Sequence, residues 1–237
     1  MGSSPDKQVN SGKQDEWPEQ GVFAVKDCAL IAIATGEKVI NLKEFRHALT
    51  EINPDSIYFH FWGGLLQPRF EEREFNNDFA AWARHGLHDQ ILAERLAVID
   101  PTSFATLEDL RDEVLEIVED RLEESEYLRW ASGSEQFEFI RTQIVVFDTH
   151  TKINSPEELS VSLPKISTSS IFYHFIDARR RTPGGADDFR FWLCGCGEKY
   201  DPLCVELARV DPYFGSLAQL RDKLAAIFQN FFAKVPQ

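Results

Sequence analysis

The chain has 237 residues, 43% hydrophobic and 27% charged, which suits one large domain or two of about 100 residues and excludes a disordered or collagen-like chain. Its 39 Asp and Glu outnumber 25 Lys and Arg, and the net charge of −14 repels phosphate backbones and argues against a nucleic-acid-binding surface. The longest apolar run, Cys28 to Ala34, is far short of the roughly 18–20 residues that cross a bilayer, so no membrane partner is expected.

Residues 1–20 are rich in Ser, Gly, Lys, Gln, Asp and Glu, lack the apolar segment of a signal peptide, and read as a flexible leader. Met1-Gly2 would suit myristoylation, but Asp6 stands where that signal wants Ser or Thr. Cys28, Cys194, Cys196 and Cys204 make no secreted disulfide framework, and with the missing signal they predict a cytoplasmic location.

Phe23 to Ile33 carries aromatic and β-branched residues in partial alternation and predicts a strand. Asn41 with Glu44 reads as a capping box that starts a helix. Asp55 or Ser56 caps a second helix, which carries His60, and Asp78 caps a third. Thr106 caps a fourth, on which Leu107, Leu110, Val114, Ile117, Val118 and Leu122 fall at helical spacing. Ten of the 39 acids lie between Thr106 and Glu126. Residues 123–136 read as the end of that helix and a linker, with a domain boundary near Ser132.

The same signals then recur. A shift of 114 aligns Phe23 to Phe61 with Phe137 to Phe175, with ten identities in 39 pairs, and Ser56-Ile57-Tyr58-Phe59-His60-Phe61 matches Ser170-Ile171-Phe172-Tyr173-His174-Phe175. Phe137 to Phe147 predicts the second strand. Ser155 with Pro156 and Glu158, Ser169 or Ser170, Asp188, and Ser216 predict the matching helix starts. Gln67 to Asn77 and the shorter, basic Arg179 to Asp187 are loops in which the register slips. Farther on, Trp82 matches Trp192, Asp100-Pro101 matches Asp211-Pro212, and Arg111-Asp112 matches Arg221-Asp222, a candidate repeated ion pair. The expected fold is α+β and mainly helical: two tandem repeats, 21–132 and 133–237, each a strand region with about four helices, arranged as an intrachain pseudo-dimer.

His60 and His174, surrounded by aromatics, are the first chemical candidates, and a two-fold axis would bring them together in a pocket with Trp82, Trp192, Asp78 and Asp188. Against this, each imidazole can simply tether its helix to a backbone group or carboxylate, and the aspartates suit helix N-caps. Cys194, Cys196 and Cys204 resemble three-quarters of a zinc site, with His174 or Asp188 as fourth ligand, but the Cys-x-Cys spacing and the matching Arg84 and Ala93 favour small residues at a tight turn. No metal and no cofactor is therefore expected. Arg179-Arg180-Arg181 can receive an anion or acidic segment, or stand as a solvated loop. Phosphate-loop, hydrolase and kinase motifs are absent.

Ala34-Thr35-Gly36, Asn41-Leu42-Lys43-Glu44-Phe45, Ser56-Ile57-Tyr58-Phe59-His60, Asn77-Asp78-Phe79-Ala80-Ala81-Trp82, Ile99-Asp100 and Leu107-Glu108-Asp109-Leu110-Arg111 span nearly all of the first repeat. Through them the chain resembles a prokaryotic family of uncharacterised proteins, a domain of unknown function. The resemblance implies no activity, cofactor or catalytic residue. Its members often carry further histidines just after the position of His60, where this chain has Phe61-Trp62-Gly63-Gly64, and that departure weakens the case for metal or acid–base chemistry. The leading functional expectation is a non-catalytic interaction, accessory or regulatory module that docks on a protein partner through Trp62, Phe70, Tyr127, Trp130, Phe231 or Phe232. The competing expectation is a small-molecule-binding protein or enzyme with a pocket between the lobes lined by His60 and His174.

Overall fold

Two long strands organise the chain. In the computed structural model, which describes residues 21–66, 74–212 and 215–234, β1 (Phe23–Asn41) and β2 (Ser132–Ile153) pair antiparallel, with Phe23 opposite Ile153 and Val39 opposite Phe137. The expected leader at 1–20 and the candidate anchor Phe70 lie outside the described residues. Both strands run past their expected ends at Ile33 and Phe147. The turn-like residues there are irregularities that the ladder passes through: Gly36 and His150 adopt positive φ of 83° and 58°. Thr35 Oγ1 donates to the Phe139 carbonyl at 2.6 Å, and the Thr149 hydroxyl donates to the Val25 carbonyl.

A two-stranded ribbon is not stable alone in water. Its middle is exposed here, at Ile31, Val146 and Phe147, while its ends are buried under helices. At the Val39 and Phe137 end stand α1 (Leu42–Glu51), α2 (Pro54–Trp62), α3 (Asp78–His85), α4 (Gln90–Ala97) and α5 (Leu107–Glu124). At the Phe23 and Ile153 end stand α6 (Pro156–Ser162), α7 (Thr168–Ile171), a π-helical turn (Phe172–Asp177), α8 (Ala178–Arg181), α9 (Asp188–Cys196), α10 (Asp201–Ala208) and α11 (Leu217–Lys234). The fold is α+β and mainly helical. Helices α4 and α10 come in addition to those the sequence signals named.

Packing does not follow the expected division at residue 132. Phe137 and Phe139, from β2, fill the N-terminal helical core, with Phe137 5.6 Å from Phe45 and 5.4 Å from Trp82 between ring centroids. Phe23, from β1, fills the C-terminal core, 5.3 Å from Phe189 and 5.4 Å from Trp192. Each strand starts in the core of the other helical group. Nor are residues 123–136 a free linker: α5 ends at Glu124, a 3-10 turn follows (Glu126–Arg129), and β2 starts at Ser132.

The helix starts at Asn41, Thr106, Ser155 and Ser216 are capped as expected, each side chain accepting from the backbone N–H three residues on. Glu44 and Glu158 reach one residue farther back than a capping box requires, to the N–H of Ile40 and Asn154. Other caps are corrected. Asn53 and Ser167 cap α2 and α7, because Ser56 is committed to the Ile140 carbonyl at 2.8 Å and Ser170 bonds to Ser167. Asn77 and Asp187 cap α3 and α9, so Asp78 and Asp188 are first-turn residues and not caps. Among the described residues Arg111 and Arg221 form no ion pair between helices or lobes: Arg111 pairs with Glu108 and Arg221 with Asp222, each on its own helix, and both donate to backbone carbonyls, Ile52 just after α1 and Ile166 just past α6.

Replacing Phe139 or Phe23 by Ala removes a core ring and is expected to lower unfolding free energy by roughly 3–5 kcal/mol. Because each ring belongs to one half by sequence and to the other by packing, urea unfolding should remain a single transition, coincident by tryptophan fluorescence and circular dichroism. Two separate transitions would contradict the crossed packing.

Candidate functional site

The aromatic periodicity of α2 buries His60 among Phe59, Phe79, Phe137 and Phe139. Its Nε2 accepts the backbone N–H of Ile140 at 3.1 Å, and its Nδ1 lies 3.1 Å from Asp78 Oδ2. In the C-terminal group the π-helical turn buries His174 beside Phe23, Tyr173 and Phe189. There Nε2 accepts the Lys26 N–H at 2.9 Å and Nδ1 lies 2.8 Å from Asp188 Oδ2. An Nε2 that accepts carries no proton, so both rings are the neutral Nδ1–H tautomer donating to the carboxylate. Burial lowers both imidazole pKa values below the ordinary 6.5, outweighing the neighbouring aspartates that act the other way.

The two rings do not meet. The residue opposite Ile140 is Ala34, eight positions along β1 from Lys26, which puts the two histidine contacts about 26 Å apart along the ribbon. His60 with Trp82 and Asp78, and His174 with Trp192 and Asp188, are two separate clusters, not the lining of one pocket between lobes. Trp82 Nε1 donates to the Glu135 carbonyl at 2.9 Å, whereas the buried Trp192 Nε1 has no hydrogen-bond partner among the described residues.

A third cluster was not legible in the sequence. Asp177, fully enclosed, accepts from Tyr58 at 2.9 Å, from Arg180 at 3.0 Å and from Arg181 at 2.9 Å, and so joins the two helical groups. Arg181 also reaches Asp188 at 3.2 Å and covers the Tyr173 ring, while Arg180 covers the Tyr58 ring. The basic run is therefore engaged within the chain rather than held out as a solvated loop or an anion receptor. The only signal was the i, i+3 and i, i+4 spacing of Arg180 and Arg181 from Asp177.

Cys204 Sγ lies 3.9 Å from the Arg190 carbonyl, one turn before Cys194 on α9, whereas Cys196 is two residues past Cys194, on the other side of that helix. His174 and Asp188, the candidate fourth ligands, are bonded to each other. Among the described residues no group of three or more His, Cys, Asp or Glu converges as a metal site. Of the candidate interface residues, Trp62 is a core residue stacked on Tyr58, and Phe231 and Phe232 are half-buried against Tyr200. Tyr127 and Trp130 are 76% and 74% exposed. Trp130 borders a cleft of about 460 Å³ with Lys43, Glu119, Leu122 and Glu123, and the Lys43 ammonium sits 4.7 Å over its ring. Among the described residues no helix is long and apolar enough to cross a membrane.

The profile of a family of unknown function, DUF5752, matches residues 20–229. No curated protein matches the chain. The solved structure of OrfY from Thermoproteus tenax shares the fold, with a TM-score of 0.78 at 23% identity over 90% of this chain and 96% of that one.

Two pH effects of opposite sign follow. Unfolded histidines take up protons that the buried ones refuse, so the stability held by His60 and His174 is present above pH 6.5 and falls as pH drops below it toward their folded pKa values. The double variant His60→Gln, His174→Gln keeps a donor and an acceptor without titrating, and should flatten that slope in urea midpoints between pH 5 and 8. Asp187, whose Oδ2 is buried without a bond, has its carboxyl pushed by burial from 3.8 to about 6, so its stabilisation is present below pH 3.8 and lost as pH rises through 6. Asp187→Asn, which installs the residue found at the corresponding cap Asn77, should gain roughly 1–3 kcal/mol at pH 8 and nothing near pH 4.

Proposed function

We propose that this chain, which belongs to the DUF5752 family of unknown function, is a non-catalytic protein-interaction or accessory module built on an internal duplication. The duplication is supported by the ten identities at a shift of 114 and by bonds that recur at that shift or, past the shorter second loop, at a shift of 110. Thr35 and Thr149 bond across the ribbon, Arg111 and Arg221 bond to helix ends, and His60 and His174 each take a strand N–H and an aspartate. On this reading the molecule is a pseudo-dimer in one chain that has exchanged its strand starts, with lobes at 21–132 and 133–237 and a cytoplasmic location.

The observation that carries the interaction role is the pair of exposed aromatics, Tyr127 and Trp130, at the end of the acidic helix α5. Large rings held in a short 3-10 turn present contact area at little entropic cost, as interface anchors do. Asp112, Glu116 and Asp120 line α5 at four-residue spacing, all exposed, and they favour a partner whose docking surface is basic. The repeated histidines, which would have to carry a catalytic reading, are each consumed in holding a strand.

Replacing Tyr127 and Trp130 together by Ala should reduce partner capture at least tenfold while leaving unfolding free energy within about 0.5 kcal/mol. Binding should also weaken as salt is raised from 0.05 to 0.5 M. Size-exclusion chromatography with light scattering, and pull-downs from native lysate with the wild type and the variant side by side, check this. A lone monomer that captures nothing, or equal capture by the variant, would overturn it.

A further inference from the structure

We propose that Cys194 and Cys204 form a redox-active pair that closes into a disulfide between α9 and α10. Cys204 Sγ lies 3.9 Å from the Arg190 carbonyl, on the turn of α9 immediately before Cys194. Helical side chains tilt toward the N-terminus, so the Cys194 thiol leans back over that same turn, on the side where Cys204 sits. The other two cysteines are placed elsewhere: Cys28 is buried with its Sγ at the Ser169 carbonyl, and Cys196, two residues past Cys194, lies on the other side of α9. A Cβ at Gly195 would meet nothing, and Gly197, just past the pair, ends α9 at a φ of 119°.

The two thiols differ in the way a stepwise exchange needs. Cys194 is exposed and open to attack on a soluble oxidant, while Cys204 is half-buried behind it. Burial, followed by the charge of Cys194 when ionised, holds the Cys204 thiol up to about 12. With a low-molecular-weight disulfide as oxidant, the Cys194 thiolate attacks one sulfur and expels the first small thiolate, leaving a mixed disulfide. That step removes the negative charge beside Cys204, so its proton leaves more readily. Its sulfur then attacks Cys194 and releases the second small thiol. Two protein thiols are oxidised, one external disulfide is reduced to two thiols, and the new bond ties α9, which carries Asp188 and Trp192, to α10.

The test incubates the full chain with oxidised glutathione, blocks remaining thiols, and maps peptides without reduction. The expected result is a Cys194–Cys204 link, with free thiols falling from four to two. Cys196→Ser should leave the link intact. Cys204→Ala, which places at α10 the residue that packs as Ala93 on α4, should stall as a persistent glutathione adduct at Cys194. A wild type that stalls as the same adduct, a Cys194–Cys196 link, or no reaction at Cys194 would each overturn the proposal.

Discussion

Two backbone N–H groups on the ribbon, those of Ile140 and Lys26, set the terms for the rest of the structure. Each points at a buried side chain on the helices, and a donor turned inward without an acceptor is costly. The acceptor in both cases is a histidine Nε2, which can accept only if the proton sits on Nδ1. That proton in turn needs a carboxylate, and Asp78 and Asp188 supply it from the first turn of the next helix. One hydrogen-bond chain therefore fixes a strand, the helix carrying the histidine, and the helix after it. Because the strand comes from the other half of the sequence, the same chain holds the two halves together.

The same chain of bonds occupies both nitrogens of each histidine. The His60 ring is enclosed by four aromatics, with Nε2 taken by the Ile140 N–H and Nδ1 by Asp78. The buried Asp177 has a similar part: a carboxylate that accepts from Tyr58, Arg180 and Arg181 is compensated for its lost hydration by three donors. The asymmetry of the molecule is on the outside. Helix α5 is strongly acidic, whereas the corresponding α11 carries Arg221, Lys223 and Lys234 against the single acid Asp222.

Much of the local structure was legible in the residues. Asn41, Thr106, Ser155 and Ser216 announce helix starts because capping needs only a side-chain oxygen and the next three backbone groups. The strands were recognisable by composition, but their ends were not, since Thr35-Gly36 and Thr149-His150 read as stops and are bulges once a partner strand exists. Asp78 and Asp188 read as caps because sequence shows their place beside a helix start but not the histidine 14 to 18 residues away that claims the carboxylate. Trp62 read as an anchor for a partner, yet it is buried on Tyr58; only the packing reveals that α2 is enclosed on every side from Ser56 to Trp62.

The sequence by itself determined the element types, the recurrence of the same signals at a shift of 114, the concentration of acid on α5, and the residues around which the cores form. These are properties of neighbours along the chain, where periodicity and capping act within a few residues. The tertiary structure alone decided the crossing of the strands, the tautomer of each histidine, the enclosure of Asp177 and the placing of Cys204 against α9. Those depend on groups brought together from as far as 148 positions apart, and which partner a buried polar atom takes is settled only when packing removes water as the alternative.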